Sequence, residues 1–219
     1  MTIQHHPTDS LLTAFAAGML DQGQHVAIAT HLVKCPHCRG WARSMEHVGG
    51  ALLASLPPSP MSSDALARVE ARMNEPVESA KTTTVSAPAA LNDVPGLPTF
   101  VRRYPAGPWK WVAPRVHVRA ILRPEPDASS TRVFLLKSGP GTKMLNHTHT
   151  GTEMTCVLSG RFSHEGGCYG PGDFDLGDET MNHQVMVEPG EDCICLVAIQ
   201  GELRLKGLIG RLIQPLIRL

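Results

Sequence analysis

The residues of this sequence best suited to chemistry form two groups of potential metal ligands, one in each half of the chain. The first group is His31, followed by Cys35 and Cys38. A histidine near the end of one predicted helix and a Cys-x2-Cys pair at the start of the next bring three ligands to one point. There the helix dipole lowers the pKa of the thiols and favours the thiolate that zinc needs. Because structural zinc takes four ligands, His5 or His6 would complete a His2Cys2 site that joins three helices. The alternative is a pair of reduced core cysteines beside a surface histidine.

The second group contains His147, His149 and Glu153. The two histidines are separated by one residue, so on a strand both imidazoles point to the same face. Glu153 follows after a short turn and can approach the same point. With Gly141 before the histidines and Gly160 after the glutamate, this pattern is similar to the first metal-binding motif of the cupin family. The resemblance implies a small β-barrel with a metal inside it.

A fourth barrel ligand has to come from a second cupin motif, which this sequence matches less well. Pro171-Gly172-Asp173 is present, but the histidine that usually follows it is not. His183 is the predicted fourth ligand, and His164 is the competing candidate. Three imidazoles and a carboxylate suit zinc, iron, manganese or nickel, so the ligand set predicts zinc or another divalent transition metal. A barrel that has lost its metal and keeps these residues as polar lining is the alternative.

The elements that must position these ligands differ between the two halves. In residues 1–75 apolar residues recur at helical spacing, which predicts four helices, the third of them bent or broken at Gly49-Gly50. Residues 76–98 lack periodicity and are interrupted by proline, which indicates a flexible linker. From 99 to 219, short alternating runs punctuated by glycine predict strands, followed by an apolar tail that is either a strand or a packed segment. The strand pattern suggests a small barrel or sandwich, and the resemblance to cupins implies the barrel. The predicted fold class is α + β with two domains, a helical zinc-binding domain and an all-β, jelly-roll-like cupin barrel.

Composition and charge exclude several classes of function. Lys plus Arg and Asp plus Glu each number 20, and residues 1–75 carry more acidic than basic side chains, which opposes binding to nucleic acid. No signal peptide is recognisable, and no apolar run approaches the roughly 18 residues of a membrane span. The sequence therefore predicts a cytoplasmic protein whose six cysteines bind metal or sense oxidants rather than form structural disulfides.

Both groups of ligands lie in sequence that resembles one family, the ChrR-type zinc-dependent anti-sigma factors. His6, then His31-x3-Cys35-x2-Cys38, resembles the zinc motif of these proteins, and the text LLTAFAAG at 11–18 is similar to the ChrR branch. The pair Cys193 and Cys195 and the tail containing QP at 214–215 are also similar to it. The resemblance implies that His6, His31, Cys35 and Cys38 are the zinc ligands and that the barrel metal is zinc. It further implies that the helices wrap an extracytoplasmic-function sigma factor and block its access to RNA polymerase.

Two functional hypotheses follow. The first is an anti-sigma factor that sequesters such a sigma factor in a 1:1 complex and releases it on a stress signal sensed with the barrel, an oxidant such as singlet oxygen or an organic peroxide. The second is a metal-dependent, dioxygenase-like cupin enzyme with an N-terminal zinc docking module. Cys193 and Cys195 share a strand face, which favours buried packing, with redox sensing as the alternative. Cys156 and Cys168 are predicted to be packing residues.

Overall fold

The structure is a computed structural model that describes residues 2–76, 91–122, 131–144, 147–179 and 184–205. For His147, His149 and residues 203–205 the description covers the backbone. Within these ranges the chain forms a helical N-terminal part followed by an all-β part, in the order that the sequence predicts.

Four α-helices make up the N-terminal part. The first two begin where the sequence provides capping groups. The Thr8 side chain accepts a hydrogen bond from a backbone N–H in the first turn of the first helix. Asp21 and Gln24 form a reciprocal capping box at the start of the second. The helices are α1 Asp9–Ala16, α2 Gln22–Lys34, α3 Pro36–Ser55 and α4 Ala65–Met73.

Helix α3 follows α2 after one residue, Cys35, whose Sγ accepts the N–H of Cys38 at 3.4 Å. The predicted break at Gly49-Gly50 is wrong, because α3 continues without interruption to Ser55, whereas a bend at this point stays a prediction. Glycine keeps its backbone N–H, so each glycine weakens a helix by about 1 kcal/mol without removing a hydrogen bond. A break needs a stronger signal than this pair supplies.

The remaining elements of the described residues are eleven strands and two short 3-10 helices, Leu91–Asp93 and Val101–Arg103. All strand pairs are antiparallel and form a six-stranded sheet in the order β1-β2-β3-β10-β5-β8, a two-stranded sheet β11-β4 and a three-stranded sheet β7-β6-β9. The strands are β1 Lys110–Ala113, β2 Val116–Leu122, β3 Arg132–Ser138, β4 His147–His149, β5 Glu153–Ser159, β6 Phe162–His164, β7 Gly167–Tyr169, β8 Phe174–Gly177, β9 Met186–Val187, β10 Cys193–Ile199 and β11 Leu203–Leu205.

The six-stranded sheet has apolar side chains on both faces. Every residue of its inner strand β10 is buried, because side chains of alternate parity enter two different cores. One core contains Leu196 together with Val26 and Ile28 of α2. The other contains Val197 and Val157 and lies between this sheet and the three-stranded sheet. Helix α2 and the barrel therefore share one continuous hydrophobic core.

The end of the predicted linker belongs to that shared core. Leu91, Val94 and Leu97 are each no more than 4% exposed and pack with residues of the helices and the sheet. Residues 91–98 are thus packed rather than flexible. The sequence indicated a linker here because prolines and glycines surround these apolar side chains. Residues 77–90 lie outside the described part of the chain, so a linker there stays a prediction, as does the division into domains.

The predicted apolar tail at 208–219 lies outside the described residues. Among the helices that the structure describes, none combines the length and the apolar character needed to cross a bilayer.

Candidate metal centre

Four of the predicted ligands converge between the N-terminal segment and the junction of α2 and α3. The ligand atoms of His6, His31, Cys35 and Cys38 all lie within 4.8 Å of one another. The Nδ1 atom of His6 is 3.4 Å from the Cys35 Sγ and 3.3 Å from the Cys38 Sγ. Zinc bonds of about 2.0–2.3 Å in a tetrahedron place neighbouring donor atoms about 3.3–3.8 Å apart. The four residues form a group that could hold a metal ion.

Local structure explains this convergence. His31 occupies the last turn of α2, Cys35 is the residue between the helices, and Cys38 lies in the first turn of α3. The short connection turns the chain so that these three side chains face one another, and all three are buried. His6 lies two residues before Thr8, the cap of α1, and is the exposed member of the group.

The hydrogen bond of His31 fixes which ring nitrogen is available. Its Nδ1 lies 2.8 Å from the carbonyl oxygen of Gly172. Because a carbonyl oxygen only accepts, Nδ1 carries the proton and Nε2 carries the lone pair. This Nε2 is buried and has no hydrogen-bond partner among the described residues. An unsatisfied buried acceptor costs about 1–3 kcal/mol, and a metal ion bound by Nε2 would remove that cost.

The protonation state of His31 also suits a ligand. Burial lowers its pKa to about 4, although the Gly172 carbonyl acts in the opposite direction. The imidazole is therefore neutral at pH 7, the form that binds metals. A histidine ligand whose second nitrogen donates to a carbonyl is the usual arrangement in metal proteins.

The Cys38 thiol differs from the sequence-based expectation. The helix dipole is expected to lower its pKa, but burial, followed by the hydrogen bond with Cys35, raises the pKa of Cys38 to about 12. A cation bound here would have to displace a proton from sulfur, so metal binding at this group would release protons. Two sulfurs and two imidazoles are a donor set that zinc prefers.

The choice between His5 and His6 is decided by the direction of the N-terminal segment. The ring of His5 points away from the sulfurs and stacks on Tyr169 of the barrel, with ring centroids 4.1 Å apart. His6, one residue later, points to the cysteines. Alternation along an extended segment sends neighbouring side chains in opposite directions, and the spacing in the sequence did not reveal which one faces the metal centre.

The predicted barrel site is described in part. His147 and His149 lie at the two ends of β4, paired with Leu205 and Leu203 of β11. Their spacing places both on one face of the strand. Glu153 begins β5, and its carboxylate accepts a hydrogen bond from the nearby hydroxyl of Thr155 at 3.0 Å. His183 lies outside the described residues, so a metal site made by these four ligands stays a prediction.

His164, the competing fourth ligand, has another role. Its Nδ1 accepts the N–H of Gly166 at 3.0 Å, so Nε2 carries the proton and donates to Asp175 at 3.0 Å. The pair is buried, with side-chain exposures of 2% for His164 and 10% for Asp175. With both nitrogens engaged, His164 does not fit a ligand role.

The cysteines of the barrel are free thiols in this structure. Cys193 and Cys195 are buried on β10 with their sulfurs 3.7 Å apart. The hydrogen bond with Cys193, followed by burial, raises the pKa of Cys195 well above its ordinary value. Cys156 is buried as predicted, but the packing prediction for Cys168 is wrong, because β7 exposes this side chain.

The exposure of large apolar side chains on the helices was not predicted from the sequence. Several large apolar side chains of α3, of Leu56 directly after it and of α4 are between 52% and 79% exposed, and α4 buries none of its residues. The helical spacing of residues in α4 predicts an amphipathic helix but does not say whether its apolar side is covered. We call these residues the α3–α4 apolar set; they are Val48, Leu52, Leu53, Leu56, Leu66, Val69 and Met73.

Comparison with known proteins covers both halves of the chain. The profile of the ChrR Cupin-like domain matches residues 99–202. The Anti-sigma-E factor ChrR of Cereibacter sphaeroides is 36% identical over 222 residues, which is 100% of this chain and 100% of that protein. The crystal structure of Rhodobacter sphaeroides SigE in complex with the anti-sigma ChrR matches with a TM-score of 0.71 and 32% identity, covering 90% of this chain and 99% of that chain.

These similarities confirm the predicted fold class, a helical N-terminal part followed by a cupin-like β part. They also favour the regulatory hypothesis over the cupin enzyme, because both relatives are named as anti-sigma factors. With more than a third of its residues identical to ChrR along the full length of both proteins, the chain belongs to the ChrR family of anti-sigma factors.

Proposed function

We propose that this protein sequesters an extracytoplasmic-function sigma factor in a 1:1 complex through its zinc-binding helices and releases it on a stress signal received by the barrel. Its place of action is then the cytoplasm, where RNA polymerase works. The observation that carries the proposal is the α3–α4 apolar set, since two helices that follow one another in the sequence expose large apolar side chains that nothing in the described chain covers. Contiguous apolar patches exposed on a protein mark binding sites for partners, and we infer that these side chains contribute to such a site.

The identity of the partner is supported by the solved relative. That structure is named as a complex of SigE with ChrR, and its match covers 90% of this chain. A sigma factor that binds the α3–α4 apolar set would bury side chains such as Leu52 and Leu66, which are 65% and 70% exposed in the free chain. Burying one such leucine contributes about 1.5–3 kcal/mol.

Zinc would act as a structural cross-link rather than as a catalyst. His6, His31, Cys35 and Cys38 would hold it and tie the N-terminal segment and α2 to the beginning of α3. Structural zinc is worth on the order of 10–16 kcal/mol in small zinc domains, comparable with the 5–15 kcal/mol that stabilises a whole domain. The direction of α3, and with it the position of the α3–α4 apolar set, would therefore depend on the metal.

The barrel would supply the response to stress. We assign His147, His149, Glu153 and His183 to a site for zinc or another divalent transition metal, with an oxidant such as singlet oxygen or an organic peroxide as the signal. Four protein ligands would leave tetrahedral zinc without an open position, which suits sensing better than turnover. A signal releases sigma only if it stabilises the unbound state more than the bound state.

A co-purification experiment tests the proposal. The full chain and an extracytoplasmic-function sigma factor of the same organism are expressed together and separated by size-exclusion chromatography with mass detection. The expected result is a stable 1:1 complex, which the double variant Leu52→Asp/Leu66→Asp fails to form.

Trp111→Asp is the matched control, since Trp111 is a 66% exposed apolar residue on β1 of the barrel. This variant is expected to keep the complex. Equal binding by the double variant and the control would contradict the assignment of the α3–α4 apolar set as the sigma-binding surface.

A further inference from the structure

The N-terminal segment that carries His6 is held by the barrel. One carboxylate oxygen of Asp173 accepts the backbone N–H of Gln4 at 2.7 Å and that of His5 at 3.0 Å. The N–H of Phe174 donates to the carbonyl of His5 at 3.1 Å. The segment thus lies along β8, the edge strand of the six-stranded sheet. The last residue of the segment that is bonded in this way is His5, which directly precedes His6.

The second imidazole of the metal centre is held by the same part of the barrel. The Gly172 carbonyl accepts from Nδ1 of His31, which fixes the tautomer and the orientation of the ring. The ring of Phe174 packs edge-on against it, with centroids 5.7 Å apart. Residues 172–174 therefore contact both histidine-bearing segments, whereas the two sulfurs come from the start of α3.

The shape of this turn suits the contact. Gly172 has a φ of +96°, and a Cβ on it would lie 2.8 Å from the Cδ1 atom of Ile3. A residue with a side chain would therefore be strained here and would push against the N-terminal segment. The Asp173 carboxylate also accepts the N–H of Gly170 at 2.8 Å, so one side chain stabilises the turn and the segment together.

We propose that the turn between β7 and β8, through the Gly172 carbonyl and the Asp173 carboxylate, is a positioning element of the zinc site. Zinc binding and the docking of the helices on the barrel then stabilise one another, because a coupling between two equilibria acts equally in both directions. The inference rests on the proposed zinc site. It gives a path of direct contacts by which a change in the barrel alters the metal centre, and through Cys35 and Cys38 the helix α3.

Cobalt provides a test on the full chain, because tetrahedral cobalt bound to thiolate has a charge-transfer absorption that a site of histidines and carboxylate lacks. The cobalt-loaded protein is titrated with a chelator, and loss of this absorption reports the His2Cys2 group alone. Outer-shell partners of metal ligands contribute about 10–100-fold to affinity. Asp173→Ala and Gly172→Ala are each expected to weaken cobalt binding at least tenfold.

Two controls match these variants within the same barrel. Asp192→Ala removes a carboxylate paired with Lys137. Gly190→Ala adds a side chain at a φ of +120°, where no atom lies within 4 Å of the new Cβ. Both controls are expected to bind cobalt as the unaltered protein does. Equal affinities in the variants and the controls would overturn the inference.

A milder variant decides the question if Asp173→Ala and Gly172→Ala fail to fold. His5→Ala removes the stacking on Tyr169 and leaves the backbone bonds, so a decrease of about two- to tenfold in cobalt affinity is expected. Hydrogen exchange gives a second readout, since the Phe174 amide should exchange faster in the metal-free protein than in the loaded one. Unchanged cobalt affinity in His5→Ala with unchanged exchange would contradict the coupling. If the unaltered chain itself shows no thiolate absorption, the proposed zinc site fails instead.

Discussion

Helices α2 and α3 are neighbours in sequence, yet they use their apolar residues in opposite ways. Val26, Ile28 and Leu32 of α2 are buried against the six-stranded sheet. Leu52 and Leu53 of α3 are 65% and 72% exposed. One helix thus contributes to the stability of the fold, whereas the other exposes apolar side chains that we propose bind a partner. The candidate metal centre lies at the junction between them, where it can fix the direction of the second helix relative to the first.

Removing the two sulfurs of the candidate metal centre should have the greatest effect. The double variant Cys35→Ser/Cys38→Ser should lose the zinc of the helical part, and the arrangement of α1, α2 and α3 should loosen because the cross-link is worth on the order of 10 kcal/mol. Zinc analysis and hydrogen exchange of the helices measure this. Cys168→Ser, at an exposed cysteine of β7, is the control and should retain the metal. A double variant with full zinc content would remove these sulfurs from the site.

The next effect separates the two helices directly. Ile28→Ala leaves a cavity in the shared core and should lower the free energy of unfolding by about 2–5 kcal/mol. Leu52→Ala changes a solvent-exposed position and should alter stability by no more than about 0.5 kcal/mol. Denaturant unfolding measures both. Sigma binding should follow the reverse order, with Leu52→Ala weakening the complex more than Ile28→Ala does under conditions where both variants are folded.

Variants of the predicted barrel ligands should leave this contrast intact. His149→Ala and Glu153→Gln are expected to keep sigma binding within about twofold while reducing the response to oxidant, because the proposed division of roles assigns the signal to the barrel. A reporter gene dependent on the sigma factor measures the response, and co-purification measures binding. If either substitution abolished inhibition of the sigma factor, this division of roles would be wrong.

The smallest effect concerns the exposed half of α3. Gly49 and Gly50 lie within the helix with no other atom near an added Cβ. Replacing either with alanine should stabilise the helix by about 0.4–1 kcal/mol. Thermal unfolding measures the gain, and Gly18→Ala, at a φ of +67° where a side chain is strained, should destabilise instead. A loss of stability in Gly49→Ala would indicate that the helix needs the freedom of glycine at this point.

Local patterns in the sequence were sufficient to predict the helical and the strand-forming parts of the chain and most of the candidate metal centre. His31, Cys35 and Cys38 lie within eight residues of one another, so helix geometry alone brings them together. The choice of His6 over His5 needed the course of the N-terminal segment along β8. The hydrogen bond from His31 to Gly172 spans 141 residues, and no periodicity reports a contact at that distance.

The exposure of the apolar side of α4, in contrast to the buried side of α2, also depends on tertiary contacts that the sequence does not reveal. Apolar residues at helical spacing occur in both, as in Leu66, Val69 and Met73 of α4. Spacing indicates that a helix has an apolar side, but the structure decides what covers that side. The packing of residues 91–98 was not predicted for a related reason, because three apolar side chains among prolines and glycines are too short a pattern to indicate burial and are buried only through tertiary contacts.

We propose that the metal centre at the start of α3 organises the sigma-binding surface. The most direct measurement compares the affinity of the full chain for its sigma factor after removal of metal and after reloading with one equivalent of zinc bound by the His2Cys2 group. We expect tight 1:1 binding by the zinc-loaded protein and a large loss of affinity in the stripped protein, restored on reloading. Equal affinity in both states would contradict it.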